Sequence, residues 1–278
     1  MMAYLALALD KTADYSSATC SWIMGLEAIR STFARFALSI TWDFAETSLL
    51  ASTGGSYTGA LNWATLVVDH ALVAARAAPV PVVMNQSAML ATNRTFDAIV
   101  TDPPYYDAIP YSDLMDFFYI WLRRTLYGLS STIDASFERP LSPKWDYAND
   151  DGELIDDSSR HELDAAKSKR VYEDGMARVF SQCAESLKPD GRLVIVFANK
   201  QPDAWETLVS AIIRAGFTVD GSWPIQTERA ARVRSLGSAA LASSVWLVCK
   251  KRPATARPGW DNNVLDQMQA DIGLQLRE

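Results

Sequence analysis

The sequence predicts an α/β protein in which a partial Rossmann-like sheet is flanked by helices and preceded by an all-helical lead-in. Apolar residues recur at helical spacing through the first eighty residues. From residue 80 to 251, short β-branched runs alternate with helical segments, which is typical of a sheet joined by right-handed crossovers. The apolar fraction of 49% and the charged fraction of 21% over 278 residues are those of a folded globular chain.

The lead-in, residues 1–79, is predicted to contain a buried helix that starts in the opening MMAYLALALDK, two further helices and a loop. Residues 26–46 carry their apolar side chains on one helical face, and residues 61–77 are rich in Ala and Leu. Between these helices, residues 48–59 are rich in Gly, Ser and Thr, which predicts a loop.

The second region, residues 80–252, contains the predicted sheet. Its strands are β-branched runs bounded by turn residues, and its helices show apolar residues at i, i+3 and i+4. We expect strands at residues 80–85, 96–106, 192–198, 217–225 and 243–251, and helices at residues 112–129, 160–187 and 203–215. The tail, residues 253–278, contains two prolines and predicts only a weak helix.

Cap and turn residues set the predicted element boundaries. Ser112 is suited to cap the helix at 112–129. Asp203 and Glu206 form a capping-box pattern, and Gly216 is placed to end that helix. The run Lys-Pro-Asp-Gly at 188–191 predicts a tight turn.

Charge is distributed unevenly along the chain. The net charge of −7 argues against nucleic-acid binding over the whole surface. Residues 101–165 hold 14 acidic and 5 basic residues, whereas residues 166–252 hold 8 acidic and 14 basic residues. Most of the acidic excess lies in residues 145–164, a run that is typical of a solvated loop.

Cysteine and histidine usage bounds the class of protein. The three cysteines lie far apart and the histidines number two, so neither a disulfide framework nor a metal site is expected. No apolar run reaches the roughly 18–20 residues of a membrane helix. The N-terminus lacks the basic start and cleavage site of a signal peptide. We therefore expect a cytoplasmic protein without membrane contact.

One motif carries chemistry. Asp102-Pro103-Pro104-Tyr105 follows a predicted buried strand, at the sheet edge where α/β proteins bind ligands. The two prolines have fixed φ and hold the chain stiff. Asp102 offers a carboxylate, the Pro103 carbonyl offers a second acceptor, and Tyr105 offers an aromatic face. A simple strand-ending turn is the alternative, but the flanking Asp and Tyr favour a reactive site.

These groups suit an exocyclic amino group of a nucleobase. Such a nitrogen is a poor nucleophile because its lone pair is delocalised into the ring. Two acceptors that bind its two hydrogens would move the nitrogen toward sp³ geometry and free the lone pair, while the aromatic ring stacks on the base. Duplex DNA hides this atom, so the base would be flipped out of the helix.

The motif and its surroundings resemble a known family. The strings FDAIVTDPPY, TDPPYYDAIPYSDLMDFFYIWLRR, GRLVIVFANK and ALASSVWLVCKKRP are similar to those of S-adenosylmethionine-dependent DNA amino-methyltransferases, which modify adenine N6 or cytosine N4. Among these, the chain resembles the large adenine-specific DNA methylases with a DUF1156-type N-terminal region. The resemblance covers about residues 3–252. It implies a methyltransferase sheet, S-adenosylmethionine as cofactor, and DNA as substrate.

The resemblance also implies roles for individual residues. Asp102 and the Pro103 carbonyl would bind the target amino group, with Pro104 stiffening the motif and Tyr105 stacking on the base. Ser87, in the segment that aligns with the end of the family's third strand, and Asp102 would contact the cofactor. The candidates for nucleic-acid contact are Tyr106, Asn199, Lys200, Arg229, Arg232 and Arg234.

One expected feature is missing. The family binds its cofactor through a glycine-rich F-x-G-x-G loop after the first sheet strand. Residues 54–59, GGSYTG, are the sole candidate and lack the preceding strand and the aromatic residue. The sequence therefore predicts a fragment or split subunit, with an upstream-encoded polypeptide supplying the cofactor-binding half. An RNA-base methyltransferase and an inactive remnant that binds DNA or a partner are the alternatives.

Overall fold

The computed structural model describes residues 1–34, 41–107, 109–138, 141, 144–225, 244–253 and 255–256. The helices are α1 (Met2–Asp14), α2 (Tyr57–Ala74), α3 (Tyr111–Leu126), α4 (Ser131–Asp134), α5 (Ala165–Ser186) and α6 (Pro202–Arg214). The strands are β1 (Ser21–Ile23), β2 (Ala28–Arg30), β3 (Phe96–Thr101), β4 (Trp145–Asp146), β5 (Asp151–Gly152), β6 (Leu187–Phe197), β7 (Phe217–Ile225) and β8 (Ser244–Lys251). None of the helices in these ranges has both the length and the apolar character needed to cross a bilayer.

Four strands form the main sheet, in the order β3-β6-β8-β7. β3 and β6 run parallel, whereas β8 is antiparallel to both of its neighbours. The strands predicted at 192–198, 217–225 and 243–251 are confirmed, and so is the α/β class, with helices flanking a mixed sheet. The strand predicted at 96–106 ends at Thr101, and it is not buried as expected, because Asp97, Ala98 and Val100 are exposed. Within the described residues, β3 forms one edge of this sheet.

The core lies between this sheet and helices α5 and α6. Leu193, Ile195 and Phe197 alternate along β6 and are fully buried. Helix α6 places its apolar residues on one face and buries Leu208 and Ile212. The buried residues that α5 adds to this core are Tyr172, Met176, Ala177 and Phe180. Each fully buried side chain of this size stabilises the fold by roughly 1.5–3 kcal/mol.

The predicted turn at 188–191 is part of an irregular strand. Phe96 of β3 pairs with Leu187, but two residues later Ala98 pairs with Arg192. The four residues of the turn are therefore accommodated as a bulge inside β6.

The lead-in is not all-helical, as the periodicity predicts. β1 and β2 form an antiparallel hairpin, so the helix expected over 26–46 does not form in its described part. Phe33 packs against Phe117 and Phe118 of α3, with ring centroids 5.2 and 5.5 Å apart. A tertiary contact thus overrides the local apolar spacing. Residues 35–40 of this segment lie outside the described part.

The strand predicted at 80–85 is also wrong. Val80 and Val83 are each 90% exposed, and no described strand pairs with this segment. A β-branched run becomes a strand when a neighbour accepts its backbone hydrogen bonds and covers its side chains, and neither occurs here. The weak helix expected in residues 257–278 lies outside the described residues.

The helices predicted at 61–77, 112–129, 160–187 and 203–215 are confirmed, with corrections at their ends. Ser112 lies inside the first turn of α3, and its hydroxyl donates to Glu153 at 2.6 Å instead of capping the helix. Asp203 lies in the first turn of α6 rather than at its N-cap, so it forms no capping box with Glu206. Gly216, with φ of 82°, follows the end of α6 as predicted.

The acidic run 145–164 is not a solvated loop, as its composition suggests. Leu154, Ile155 and His161 are buried, and β4 pairs with β5 inside the run. The His161 ring packs edge-on against Trp145 at 5.4 Å. Burial lowers the pKa of this imidazole below its ordinary value. The run therefore packs onto the protein through its few apolar residues, which are outnumbered by charged residues in the sequence.

Ion pairs fix the same segment to α3. The guanidinium of Arg160 binds Glu153 at 2.5 Å and Asp113 of α3 at 3.0 Å, and only 7% of the Arg160 side chain is exposed. Lys144 binds Asp113 at 2.7 Å and Asp116 at 3.0 Å. Because these charges form a connected and partly buried network, the acidic excess is locally compensated.

Asp10 on α1 generates a prediction about pH. It is 6% exposed, and its Oδ1 meets no hydrogen-bond partner among the described residues. Burial raises the pKa of this carboxyl to about 7. A carboxyl whose folded-state pKa is raised stabilises the protein at low pH and loses that contribution as pH rises toward 7.

We therefore expect Asp10→Asn to flatten the dependence of unfolding free energy on pH between 4 and 8. At pH 8 the variant should be more stable than the native chain by roughly 2–4 kcal/mol, since one pKa unit corresponds to about 1.36 kcal/mol. Urea denaturation at several pH values measures this. Asp69→Asn, on an exposed part of α2, is the matched control; equal pH profiles for the native chain and Asp10→Asn would contradict the prediction.

Candidate active site at the carboxyl edge of the sheet

The motif lies where two parallel strands end together. β3 ends at Thr101, opposite Ile195 of β6, and Asp102–Tyr105 follows without regular structure. β6 ends at Phe197. Because both strands run in the same direction, the segments that follow them meet at one edge of the sheet.

Asp102 and Tyr105 are joined side chain to side chain. The Tyr105 hydroxyl donates to Asp102 Oδ1 at 2.7 Å. Burial, and next the hydrogen bond and charge of Asp102, raise the pKa of Tyr105 well above its ordinary value, so this hydroxyl stays protonated and donating. Asp102 is exposed, and its Oδ2 accepts no hydrogen bond from any residue that the structure describes.

Hydrogen bonds from other parts of the fold hold the backbone of residues 104–106. Three successive carbonyls, those of residues 104–106, each accept a hydrogen bond from a different part of the fold. The donors are the Tyr172 hydroxyl of α5 to Pro104 at 2.8 Å, Asn199 Nδ2 after β6 to Tyr105 at 3.1 Å, and the Asp156 backbone N–H to Tyr106 at 3.2 Å. The Pro103 carbonyl, in contrast, accepts none from the described ranges.

Aromatic residues support the Tyr105 ring. It packs edge-on against Phe197 with centroids 5.5 Å apart, and Phe197 packs edge-on against Trp205 of α6 at 5.0 Å. Phe197 is fully buried, whereas Tyr105 is half-buried. The ring is therefore held by the core while part of it remains accessible at the edge.

Tyr106, predicted to contact nucleic acid, points into the protein instead. It is 6% exposed and packs edge-on against Tyr172 at 5.2 Å. Burial, and next the nearby Asp156 carboxylate, raise the pKa of the Tyr106 hydroxyl well above its ordinary value. Its φ of 62° lies in the left-handed region, which turns its side chain away from the edge.

Asn199 and Lys200, also predicted to contact nucleic acid, differ in burial: Asn199 is buried and Lys200 is exposed. Asn199 is 1% exposed; its amide nitrogen bonds to the Tyr105 carbonyl, and its Oδ1 accepts from the Gln201 N–H at 2.8 Å. Its own carbonyl accepts from Trp205 Nε1 at 2.8 Å. Asn199 thus ties the motif to α6 from within, while Lys200 is exposed beside it.

Ser87 does not join Asp102 in one cavity. Its hydroxyl donates to Asp151 at 2.8 Å. It lines a cavity of about 310 Å³ with Phe96 and Ile99, and Asp102 does not line that cavity. The two residues predicted to bind the cofactor are therefore not brought together.

Arg229, Arg232 and Arg234 lie outside the described residues. The residues that flank this part of the chain, Ile225 of β7 and Ser244 of β8, are paired with each other. β7 runs in the same direction as β6, so this pair lies at the same edge as the motif.

Residues 54–59, GGSYTG, are predicted to lie in a loop, but this run enters helix α2 at Tyr57. Ser56 caps α2 by accepting a hydrogen bond from the Gly59 N–H at 3.0 Å. The run does not follow a sheet strand. Ser87 also lies apart from Asp102. The described residues therefore provide acceptors for an amino group, but they do not form the cofactor-binding loop that the resemblance implies.

A larger cavity opens beside α3. Its volume is about 790 Å³, within the range of small-molecule sites. Its polar lining includes Asn85, Ser112 and Glu153, and its aromatic lining includes Tyr111 and Phe118.

Two residues that hold the backbone beside the motif, Tyr172 and Asp156, are not predicted from the sequence. Tyr172 has the spacing of an ordinary core residue of α5, and Asp156 lies within a charge run. Neither carries a local signal for contact with residues 104–106, because both contacts depend on how α5 and the acidic segment pack.

No family model and no curated protein matches the chain. Among solved structures, it is similar to the crystal structure of a Thermus thermophilus protein that is provisionally described as a DNA modification methylase. The match has 16% sequence identity and a TM-score of 0.25, and it covers 35% of this chain and 43% of that one. The chain thus spans less than half of the length of that protein. A similarity this weak does not indicate a function for the chain.

Asn199→Ala tests the tie between the motif and α6. The variant leaves the Tyr105 carbonyl and the Gln201 N–H without their partner, so we expect unfolding free energy to fall by roughly 1–3 kcal/mol. Urea denaturation measures this. Asn149→Ala, an exposed amide bonded to Asp146, is the matched control and should shift stability by less than about 0.5 kcal/mol. Equal effects of the two substitutions would refute the tie.

Proposed function

We propose that this chain carries the base-binding part of a DNA methyltransferase that acts on an exocyclic amino group, with N6 of adenine as target and S-adenosylmethionine as methyl donor. One observation carries the proposal: two acceptors at the sheet edge, Asp102 Oδ2 and the Pro103 carbonyl, accept no hydrogen bond from described residues while the neighbouring acceptors are engaged.

The chemistry follows from this pair. An amino group presents two hydrogens, and Asp102 and the Pro103 carbonyl each accept one. With both hydrogens bound, the nitrogen moves toward sp³ geometry. Its lone pair is then less delocalised into the ring, and the nitrogen becomes nucleophilic. When the nitrogen gains a methyl group it must lose one proton, for which the Asp102 carboxylate is the adjacent base. The accessible part of the Tyr105 ring stacks on the base.

The substrate reaches the site as an extruded nucleotide. The amino group of a paired base is engaged inside the duplex, so the base must be flipped to meet Asp102. Asp102 is exposed at the sheet edge, which is the geometry that an incoming base requires. The cost of unpairing, a few kcal/mol, is offset by stacking on Tyr105 and by the two hydrogen bonds.

The cofactor-binding half comes from a second polypeptide, encoded upstream, in this proposal. Support comes from β3, which forms one edge of the sheet among the described residues and whose Val100 side chain is 64% exposed, and from the exposed apolar segment at 80–84. Edge strands present unpaired N–H and C=O groups that accept a further strand. A second polypeptide that adds a strand beside β3 would pair these groups.

Calorimetry with S-adenosylmethionine tests the division of labour. We expect no binding to the chain alone and binding once the upstream polypeptide is added. Binding by the chain alone would contradict the split arrangement. Absence of binding in both preparations would leave the inactive-remnant alternative and refute the proposed activity.

Asp102→Ala tests the chemistry in the preparation that binds cofactor. Removing the carboxylate takes away an acceptor and the adjacent base, so methyl transfer to duplex DNA should fall roughly 100- to 10 000-fold. Asp97→Ala is the matched control, because Asp97 is an exposed residue near the other end of β3 that pairs with Lys188. Asp97→Ala should retain native activity; retained transfer by Asp102→Ala would overturn the assigned role.

A further inference from the structure

In the acidic segment 145–164, Asp156 contacts Tyr106, the residue that directly follows the motif. The segment is anchored elsewhere by Arg160, which binds Glu153 and Asp113. Between these anchors, the backbone N–H of Asp156 donates to the Tyr106 carbonyl at 3.2 Å. The fixed position of the segment is thus transmitted to the residue that directly follows the motif.

The conformation of Tyr106 needs such support. Its φ of 62° is uncommon for a residue with a side chain and costs on the order of 1–3 kcal/mol. Backbone of this kind persists when the surroundings over-determine it. Two contacts do so: the hydrogen bond from the Asp156 N–H to the Tyr106 carbonyl, and the edge-on ring of Tyr172.

The Asp156 carboxylate is itself held in place. It accepts a hydrogen bond from the Ser168 hydroxyl of α5 at 2.6 Å. Because α5 is part of the central core, its position is fixed by fully buried residues such as Phe180. Asp156 therefore joins three parts of the fold, namely the acidic segment, α5 and the backbone behind the motif.

We propose that Asp156 is a positioning residue of the active site: by holding Tyr106 in its left-handed conformation, it fixes the direction in which Asp102 and the Pro103 carbonyl face the substrate. This inference rests on the proposed function. Asp156 touches no reacting atom. Its effect comes through geometry, because the two acceptors belong to the same short, proline-stiffened segment whose far end Asp156 holds.

The role differs from that of an ordinary stabilising contact. Misplacement of a reacting group by about 1 Å lowers a rate by roughly 100-fold while leaving substrate affinity little changed. Loss of the Asp156 carboxylate should therefore lower kcat and spare the KM for DNA. A contact that only stabilises the fold would lower the melting temperature without such a split.

Three substitutions and one control form the test. Asp156→Ala removes the carboxylate that anchors Asp156 to α5, Ser168→Ala removes only the hydroxyl that this carboxylate accepts, and Asp156→Asn keeps an acceptor oxygen. Asp150→Ala is the matched control, since Asp150 lies in the same acidic segment and pairs with Arg178 on the surface. Amide hydrogen exchange of residues 102–107 is measured for each, together with kcat and KM in the preparation that binds S-adenosylmethionine.

We expect Asp156→Ala and Ser168→Ala each to speed exchange in residues 102–107 and to lower kcat by roughly 10- to 100-fold with KM unchanged. The double variant should be no worse than either single one, Asp156→Asn should recover most of the rate, and Asp150→Ala should match the native chain. Unchanged exchange, or a native kcat in Ser168→Ala, would overturn the proposal. If the native protein itself transfers no methyl group, the proposed function fails, and the exchange measurement still decides whether Asp156 holds the motif.

Discussion

The parallel pairing of β3 with β6 is the constraint on which the remainder of the site depends. The register that sets Thr101 opposite Ile195 brings the segment after β3 alongside the segment after β6. Only in this arrangement can Asn199 reach the Tyr105 carbonyl and can Phe197 support the Tyr105 ring. An antiparallel partner would begin at this edge instead of ending there, and its following loop would lie at the opposite end of the sheet.

Rigidity at this edge comes from polar contacts rather than from additional apolar burial. Each hydrogen bond to residues 104–106 contributes about 1 kcal/mol net, but the loss of one partner leaves a buried group unpaired at a cost of roughly 1–3 kcal/mol. Because the donors come from α5, the segment after β6 and the acidic segment, the motif cannot move without disturbing three parts of the fold. The acceptor pair that faces outward is thereby organised before any ligand arrives.

Local pattern succeeds where one element buries one face. The strands at 192–198 and 243–251 and the helix at 203–215 follow from alternation and helical spacing, because their apolar faces enter the core directly. Pattern fails at Phe33, whose ring packs on α3 from a non-helical segment, and at Val80 and Val83, which lack a neighbouring strand. It fails again in the acidic run, where buried Leu154 and Ile155 are outnumbered by charges.

The amino-acid sequence by itself determines the motif, its stiffness and its place after a strand, since proline geometry and strand periodicity are local properties. It also determines that Asp102 and Tyr105 are three residues apart and able to bond. Tertiary structure alone decides that Tyr106 and Asn199 support the motif from inside, and that Asp156 and Tyr172 take part at all. Those assignments depend on which hydrogen-bonding groups packing brings within about 3 Å of one another, and residues separated by up to 94 positions carry no local trace of that proximity.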